Sequence, residues 1–313
     1  MPEETPRAEW TGHAALEEEL LGGEPPGGKL PDYELLDAGD GRRLERFGGH
    51  VVDRPSPGAF HRRLADLLTW RRADLRFDGV RGWFGADAVS SEGSAPAPWT
   101  ISIEGLALEL RPTASGGLGV YPEHAANLAW VAARIAARRA SPQDGHGLAP
   151  QVLNLFAHTG LVTLAAARAG ADVAHVDASK SAVDWARRNA ALSGLEDRPI
   201  RWLVDDAAGF VAREARRGRR YDGIVLDPPS FGRAGRRQWR LLDELPALLR
   251  ACAAFATDDA FVLLTAHTAG LEGEVLSGAL RSAFPGAWPE AVELGLDAAS
   301  GARLELGWAA RVG

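Results

Sequence analysis

The stretch with most chemistry to offer is Asp227-Pro228-Pro229-Ser230. It follows Tyr221 to Leu226, an apolar run of the kind a buried strand makes. Each proline removes a backbone donor and fixes φ. A stiff loop therefore holds a carboxylate, open carbonyls and the Ser230 hydroxyl together, an acceptor array suited to a planar group bearing N–H. The same residues also read as a plain strand stop. Three further apolar runs end in polar signals. Val152 to Phe156 breaks at Ala157-His158-Thr159-Gly160; Val173 to Val176 ends at Asp177-Ala178-Ser179; Trp202 to Val204 ends at Asp205-Asp206. A strand, a tight turn, a helix and a second strand closed by an acid form a scaffold for a nucleoside. The turn holds one end, and the acid accepts hydrogen bonds from ribose hydroxyls.

Four such ends do chemistry together only if the elements align them. From residue 150 apolar strand and helix patterns alternate, predicting strands at 151–156, 172–177, 199–204, 221–227 and 260–266. Helices are predicted at 160–169, 180–193, 207–217, 241–255 and 271–284. Residues 291–296 and 303–311 read as an antiparallel pair closing the sheet. The fold class is α/β: a Rossmann-like, mostly parallel seven-stranded sheet covered on both faces, with ligands at the carboxyl ends of its strands. Upstream, residues 30–120 alternate short apolar pieces with Gly and Pro and read as a smaller β-rich domain with one helix near 58–72. A linking helix at 122–139 opens the 121–313 domain, behind Pro122 and Glu123. Residues 1–29, rich in Glu, Gly and Pro, read as a flexible tail.

The series Asn154-Leu-Phe-Ala-His-Thr-Gly160, Asp177-Ala-Ser179, Asp205-Asp206 and Asp227-Pro-Pro-Ser-Phe231 resembles the class I S-adenosylmethionine-dependent methyltransferases. Within them it resembles the branch of large-subunit ribosomal RNA methyltransferases and their bacterial relatives. Tyr33 to Gly41, Leu44 to Gly48 and Gly119 to Glu123 extend the likeness upstream. The resemblance implies S-adenosyl-L-methionine as cofactor and a role for each matched position. Asn154, Phe156, Thr159 and Gly160 would line its methionine end. Asp177 would bind the ribose hydroxyls, with Ser179 nearby. Asp206, or Asp205 as the alternative, would accept from the adenine amine. Tyr121 to His124 would close over the cofactor, and Asp227 to Phe231 would hold the methyl acceptor.

The turn keeps one glycine, Gly160, which fits a cofactor without phosphates. Methyl transfer from a sulfonium needs alignment in a dry site more than covalent help. A base, where one is needed, is sought among Asp227, His267 and His158. The lone cysteine, Cys252, sits on a helix stripe and reads as core. Cytosine C5 chemistry, which uses a thiol nucleophile, is therefore set aside in favour of a nitrogen acceptor.

The expected substrate is RNA, ribosomal by the resemblance, met by the Arg-rich run 233–240 that interleaves Trp239. Arg213 to Arg220 reads as a solvated helix face, and Arg62 to Arg76 forms a second basic stretch beside Trp70. A net charge of −7 excludes a molecule basic all over and keeps a small-molecule or protein substrate as the alternative. One cysteine excludes an internal disulfide and a cysteine-cluster metal site, and no metal is expected. No apolar run is long enough to span a bilayer, and no signal peptide is seen, so the expectation is a cytoplasmic protein. A nicotinamide oxidoreductase is disfavoured by the absent Gly-x-Gly-x-x-Gly turn. A non-catalytic RNA-binding protein is disfavoured by the intact acids at three strand ends.

Overall fold

A computed structural model describes residues 32–85, 97–140, 148–234 and 237–313. The segment 1–29 and the centre of the 233–240 run, Gly235-Arg236, lie outside the described residues.

Seven strands form the main sheet: β8 (Gln151–Leu155), β9 (Asp172–Asp177), β10 (Ile200–Val204), β11 (Tyr221–Leu226), β14 (Ala256–Ala266), β15 (Glu290–Asp297) and β16 (Arg303–Val312). Their order is β10-β9-β8-β11-β14-β16-β15. The first five are parallel, and β16 and β15 add antiparallel. Residues alternate between two buried faces. Leu153, Ile224 and Leu264 face one core, with α5 (Ala207–Arg216), α6 (Leu241–Ala253) and α7 (Gly273–Ala283) over it. Val152, Val225 and Leu263 face the other, under α2 (Ala125–Ala140) and α3 (Leu161–Arg168). α4 (Lys180–Leu192) packs beside α3 through Ala190. Chain order runs outward from β8 to β9 and β10 in one direction and from β11 to β14 in the other, where β16 and then β15 close the edge. The crevice above the β8 and β11 carboxyl ends is thus the topological switch point, where such sheets bind ligands.

The α/β expectation holds, with element ends moved by a few residues. Two differences have physical causes. Helix near 58–72 shrinks to α1 (Leu67–Arg71), because Pro57 and Gly58 keep the chain irregular until the Asp66 carboxylate caps the Thr69 N–H. The Arg-rich segment after Pro-Pro, given no element by its apolar pattern, forms a hairpin, β12 (Phe231–Ala234) on β13 (Arg237–Arg240).

Upstream lies a five-stranded sheet, β1 (Tyr33–Gly39), β2 (Arg42–Phe47), β3 (His50–Pro55), β4 (Leu75–Asp78) and β5 (Gly82–Gly85). A hairpin follows, β6 (Trp99–Ile103) on β7 (Leu106–Leu110). This part is welded to the main sheet: Leu106 and Leu108 share a core with Leu161, Leu164 and Ala190. Trp185 Nε1–H donates to the Glu109 carbonyl at 2.9 Å, and Asn189 Oδ1 accepts from the Glu109 N–H at 2.9 Å.

Candidate active site

The turn after β8 is the centre of the site. Phe156, His158 and Gly160 all have left-handed backbone, with φ of 56°, 47° and 91°. Three such residues in five are costly for side chains other than glycine, and strain of this kind collects at ligand clamps. Gly160 has the tightest reason: a Cβ there would lie 2.9 Å from the Ala186 Cβ. Its place lets α3 start close against α4, with its first N–H groups at the crevice.

The turn ties the strand ends together. Asp177 Oδ2 accepts from the His158 N–H, and Oδ1 from the Ser179 N–H, both at 2.8 Å. Two backbone donors fix the carboxylate at the end of β9, and each oxygen keeps acceptor capacity for a hydroxyl. Ser179 caps α4, its Oγ accepting from the Ala182 N–H at 3.2 Å. Thr159 Oγ1–H donates to the Gly119 carbonyl at 2.5 Å, clamping the turn to the segment before the Tyr121–His124 bend. Asn154 gives its amide N–H to Thr163 Oγ1 at 2.9 Å, and that hydroxyl pairs with His175 Nδ1 at 2.9 Å. Burial presses His175 down to about 3, with His158 and Arg187 adding to the effect, so its ring is neutral.

Asp227 stands across the same turn, its N–H reaching the Leu155 carbonyl at 3.4 Å. Thr265 Oγ1–H donates to Asp227 Oδ1 at 2.5 Å, and His267 Nε2 lies 3.3 Å from that oxygen. His124 Nε2 lies 3.4 Å from Oδ2. Burial disfavours the Asp227 charge, but His267 and then His124 overcome it and hold the carboxyl well below the usual carboxylate range. Burial likewise disfavours a charged His267. Asp227, Glu123 and the Leu306 carbonyl prevail and raise it to about 9. His267 Nδ1–H donates to that carbonyl at 2.8 Å, with Glu123 Oε1 3.9 Å away. The pair is thus imidazolium and carboxylate at neutral pH. His158 goes the other way: burial lowers it against the pull of Asp177 and Asp227.

His124, Asp227 and His267 bring ligand-type atoms within 4.8 Å of one another, the donor set of a two-histidine, one-carboxylate metal site. The neighbours of His124 point away from that use. Arg311 donates to Asn127 Oδ1 at 2.6 Å, so the Asn127 amide N–H faces His124 Nδ1 at 3.4 Å. An Nδ1 that accepts from this amide leaves the ring hydrogen on Nε2, facing Asp227 Oδ2.

Tyr121, His124, Asn154, Phe156, Thr159 and Asp227 line one crevice. The Tyr121 ring lies 5.5 Å from that of His158 and stacks at 6.2 Å on that of His267. Ser230 Oγ shares a hydrogen bond with Thr268 Oγ1 at 2.6 Å, tying the Pro228-Pro229 lip to the end of β14. Asp205 and Asp206 have further partners: Asp205 pairs with Arg213, and Asp206 caps α5 by accepting from the Gly209 N–H at 2.8 Å. Trp239 is buried, donating to the Pro229 carbonyl at 2.7 Å with its ring 5.0 Å from Phe156. It stiffens the lip instead of offering a face to solvent. Of the Arg213–Arg220 stretch, Arg217 pairs with buried Glu214 and Arg220 with Asp258. Thr265, Asn127 and Arg311 carried no signal in the sequence, and Glu123 only that of a helix opening and of the segment closing the site, since each gains its role here from a partner on another element.

A crystal structure of a SAM-dependent methyltransferase from Agrobacterium tumefaciens superposes with a TM-score of 0.82 at 33% identity, over 91% of each chain. The chain belongs to the SAM-dependent methyltransferases. A family model described as conserved hypothetical protein 95 matches residues 142–263 of the methyltransferase. Among curated relatives, ribosomal RNA large subunit methyltransferase I of Aeromonas salmonicida is 39% identical over 84 residues, 26% of this chain and 21% of that protein. Ribosomal RNA large subunit methyltransferase K of Neisseria meningitidis serogroup B is 41% identical over 80 residues, 25% and 23% respectively. The methyltransferase thus spans under a quarter of the length of these two relatives through the matched segments. No helix among the described residues is long and apolar enough to cross a membrane.

Proposed function

We propose that the protein methylates a base nitrogen in RNA, ribosomal RNA in the first instance, using S-adenosyl-L-methionine. The observation that supports the reading is the single turn 156–160: it lines the crevice together with Asp227, and its His158 N–H donates to Asp177 just behind. The residues fit the cofactor. Asp177 is held by two N–H groups as a ribose acceptor, and Gly160 leaves the close approach a side chain would block. Tyr121 and His158 offer ring faces to a cation. Asn154, Phe156 and Thr159 take the methionine end, with Ser179 beside the ribose. Asp206, or Asp205, takes the adenine amine. The cofactor supplies a methyl activated on a positively charged sulfur.

The chain's own groups do the rest. Pro228, Pro229 and Ser230 hold the acceptor ring against the crevice, and Asp227 accepts its N–H. A carboxylate this acidic is a weak base. It suffices because the N–H proton becomes strongly acidic as nitrogen takes on the methyl group. His267, charged and already donating, keeps Asp227 ionised and takes no proton itself. His158 is the second group free to accept one.

RNA as substrate draws on the names of the two curated relatives and on the arginines at 233–240. Phe231, 76% exposed beside the lip, offers the aromatic face that buried Trp239 does not. The 30–120 part serves the pocket from the Gly119 side through Thr159 and Trp185. A net charge of −7 favours a small-molecule or protein acceptor as the second reading. The test is RNA from a strain lacking the gene, incubated with the protein and methyl-labelled cofactor and digested to nucleosides for mass spectrometry. One newly methylated nucleoside is expected. Label confined to metabolites or protein would overturn the RNA assignment.

A further inference from the structure

Four large apolar side chains stand in water within the nine residues 60–68. Phe60, Leu64, Leu67 and Leu68 are 87%, 60%, 59% and 65% exposed. The backbone that carries them is held firmly. Asp37, fully buried, accepts from the Leu64 N–H at 3.3 Å, the Ala65 N–H at 3.0 Å and the Trp70 indole N–H at 2.8 Å. Arg62, Arg63, Arg71 and Arg72 flank the apolar residues, and Asp66 is the only acid in 60–72. Arg62 and Arg71, both exposed, make no ion pair among the described residues. An apolar patch with a basic rim marks an interaction surface, and it calls for a partner that is apolar and acidic. The chain itself carries one. Residues 14–21 read Ala-Ala-Leu-Glu-Glu-Glu-Leu-Leu, within a stretch, 1–24, that holds seven Glu against one Arg. At helical spacing Leu16, Leu20 and Leu21 share one side, with Glu18 and Glu19 on the other.

We propose that residues 14–21 dock on the 60–72 face of the same chain, leucines on leucines and glutamates against the arginine rim. The tether is long enough. β1 runs from Tyr33 to Gly39, where a Cβ would meet the Arg63 backbone, so the face lies about 23 Å from Asp32. The ten residues 22–31, which include Gly22-Gly23 and Gly27-Gly28, reach about 36 Å when extended and about 17 Å on average. A short tether of this kind holds the segment at millimolar effective concentration, so a weak contact is filled before any outside partner competes. Two other occupants fit less well. A second copy in a two-fold contact would set the four arginines against four more. RNA would answer the charge and leave three leucines in water. The face also borders the wall of the crevice. His61 Nε2 lies 3.1 Å from the Arg303 carbonyl, on the strand whose Leu306 carbonyl holds His267. The inference does not depend on the identity of the methyl acceptor.

Hydrogen exchange of the full-length protein, read by mass spectrometry, tests this. In a variant carrying Leu16→Asp and Leu20→Asp, the amides of 64–72 should exchange about tenfold faster than in the wild type, the effect of losing a weak tethered contact. Peptides from the main sheet should be unchanged. Equal exchange at 64–72 in the two proteins would overturn the proposal. A charge swap gives a second arm. Arg71→Glu with Arg72→Glu should speed exchange of the same amides, and adding Glu18→Arg with Glu19→Arg should slow it again; no recovery would overturn the pairing of segment and face. Wild-type protection should not depend on protein concentration. Protection that rises with concentration would assign the face to a second copy. Protection seen only after an RNA oligonucleotide is added would assign it to RNA. Either result overturns the proposal.

Discussion

Asp227→Asn is the perturbation that the geometry constrains most closely. His267 is faced by Asp227 at 3.3 Å, Glu123 at 3.9 Å, the Leu306 carbonyl at 2.8 Å, and the rings of His124 and Tyr121. Asp227, Glu123 and the Leu306 carbonyl raise it from 6.5 to about 9 against the cost of burial. That rise is worth about 3 kcal/mol, and a side chain 30% exposed keeps roughly half of it against solvent screening. Removing the nearer carboxylate should drop the His267 midpoint by about one to two units, read by following its ring C–H signal in an NMR titration. The sign follows for stability. The His267 contribution is full below 6.5 and is lost as pH rises through about 9. The Asp227 contribution is full above 3.8 and is lost as pH falls through its depressed folded value. In urea unfolding, the stability gap between wild type and Asp227→Asn should therefore narrow as pH rises from 6.5 to about 9 and stay level above that. Cofactor affinity should change little, while methyl transfer falls by about 10²-fold or more. A wild-type His267 midpoint near 6.5, or one unmoved by the substitution, would refute the reasoning.

Two further outcomes are expected. Gly160→Ala puts a Cβ 2.9 Å from that of Ala186 at a φ of 91°. It should cost about 1–3 kcal/mol and lower Tm by several degrees, with weaker cofactor binding; an unchanged melting curve and affinity would contradict the role given to that turn. Cys252 is fully buried, and burial pushes its thiol up. Cys252→Ala should retain kcat within about twofold, and loss of turnover in a folded variant would reopen thiol-dependent chemistry.

The parallel sheet was legible because its signals are local. Runs such as Tyr221 to Leu226 are apolar throughout, as strands buried on both faces must be, and each ends at an acid or a turn. The acids at 177 and 227 could be placed on one edge by topology alone. What they touch could not. His124, Asp227 and the pair Thr265 and His267 meet from three places in the chain, and no spacing announces that one carboxylate will take them all. The capping of α5 by Asp206 was legible and went unread: Asp before Ala-Ala-Gly at a helix start is a cap signature. Trp239 misled for a plain reason. An aromatic among arginines looks like a nucleic-acid contact, yet its indole N–H had a carbonyl waiting at Pro229. The left-handed Phe156 could not be foreseen, since a bulky aromatic is an outlier there; His158 is of a type found there more often, but no spacing marks it.

The central claim is that acids closing neighbouring strands bind one adenosyl cofactor, and calorimetric titration with S-adenosylmethionine tests it most directly. The wild-type protein should bind one equivalent, and Asp177→Ala should bind at least about thirtyfold more weakly, from the loss of two hydrogen bonds to a charged acceptor. Absence of binding to the wild type, or equal binding by the variant, would contradict the account.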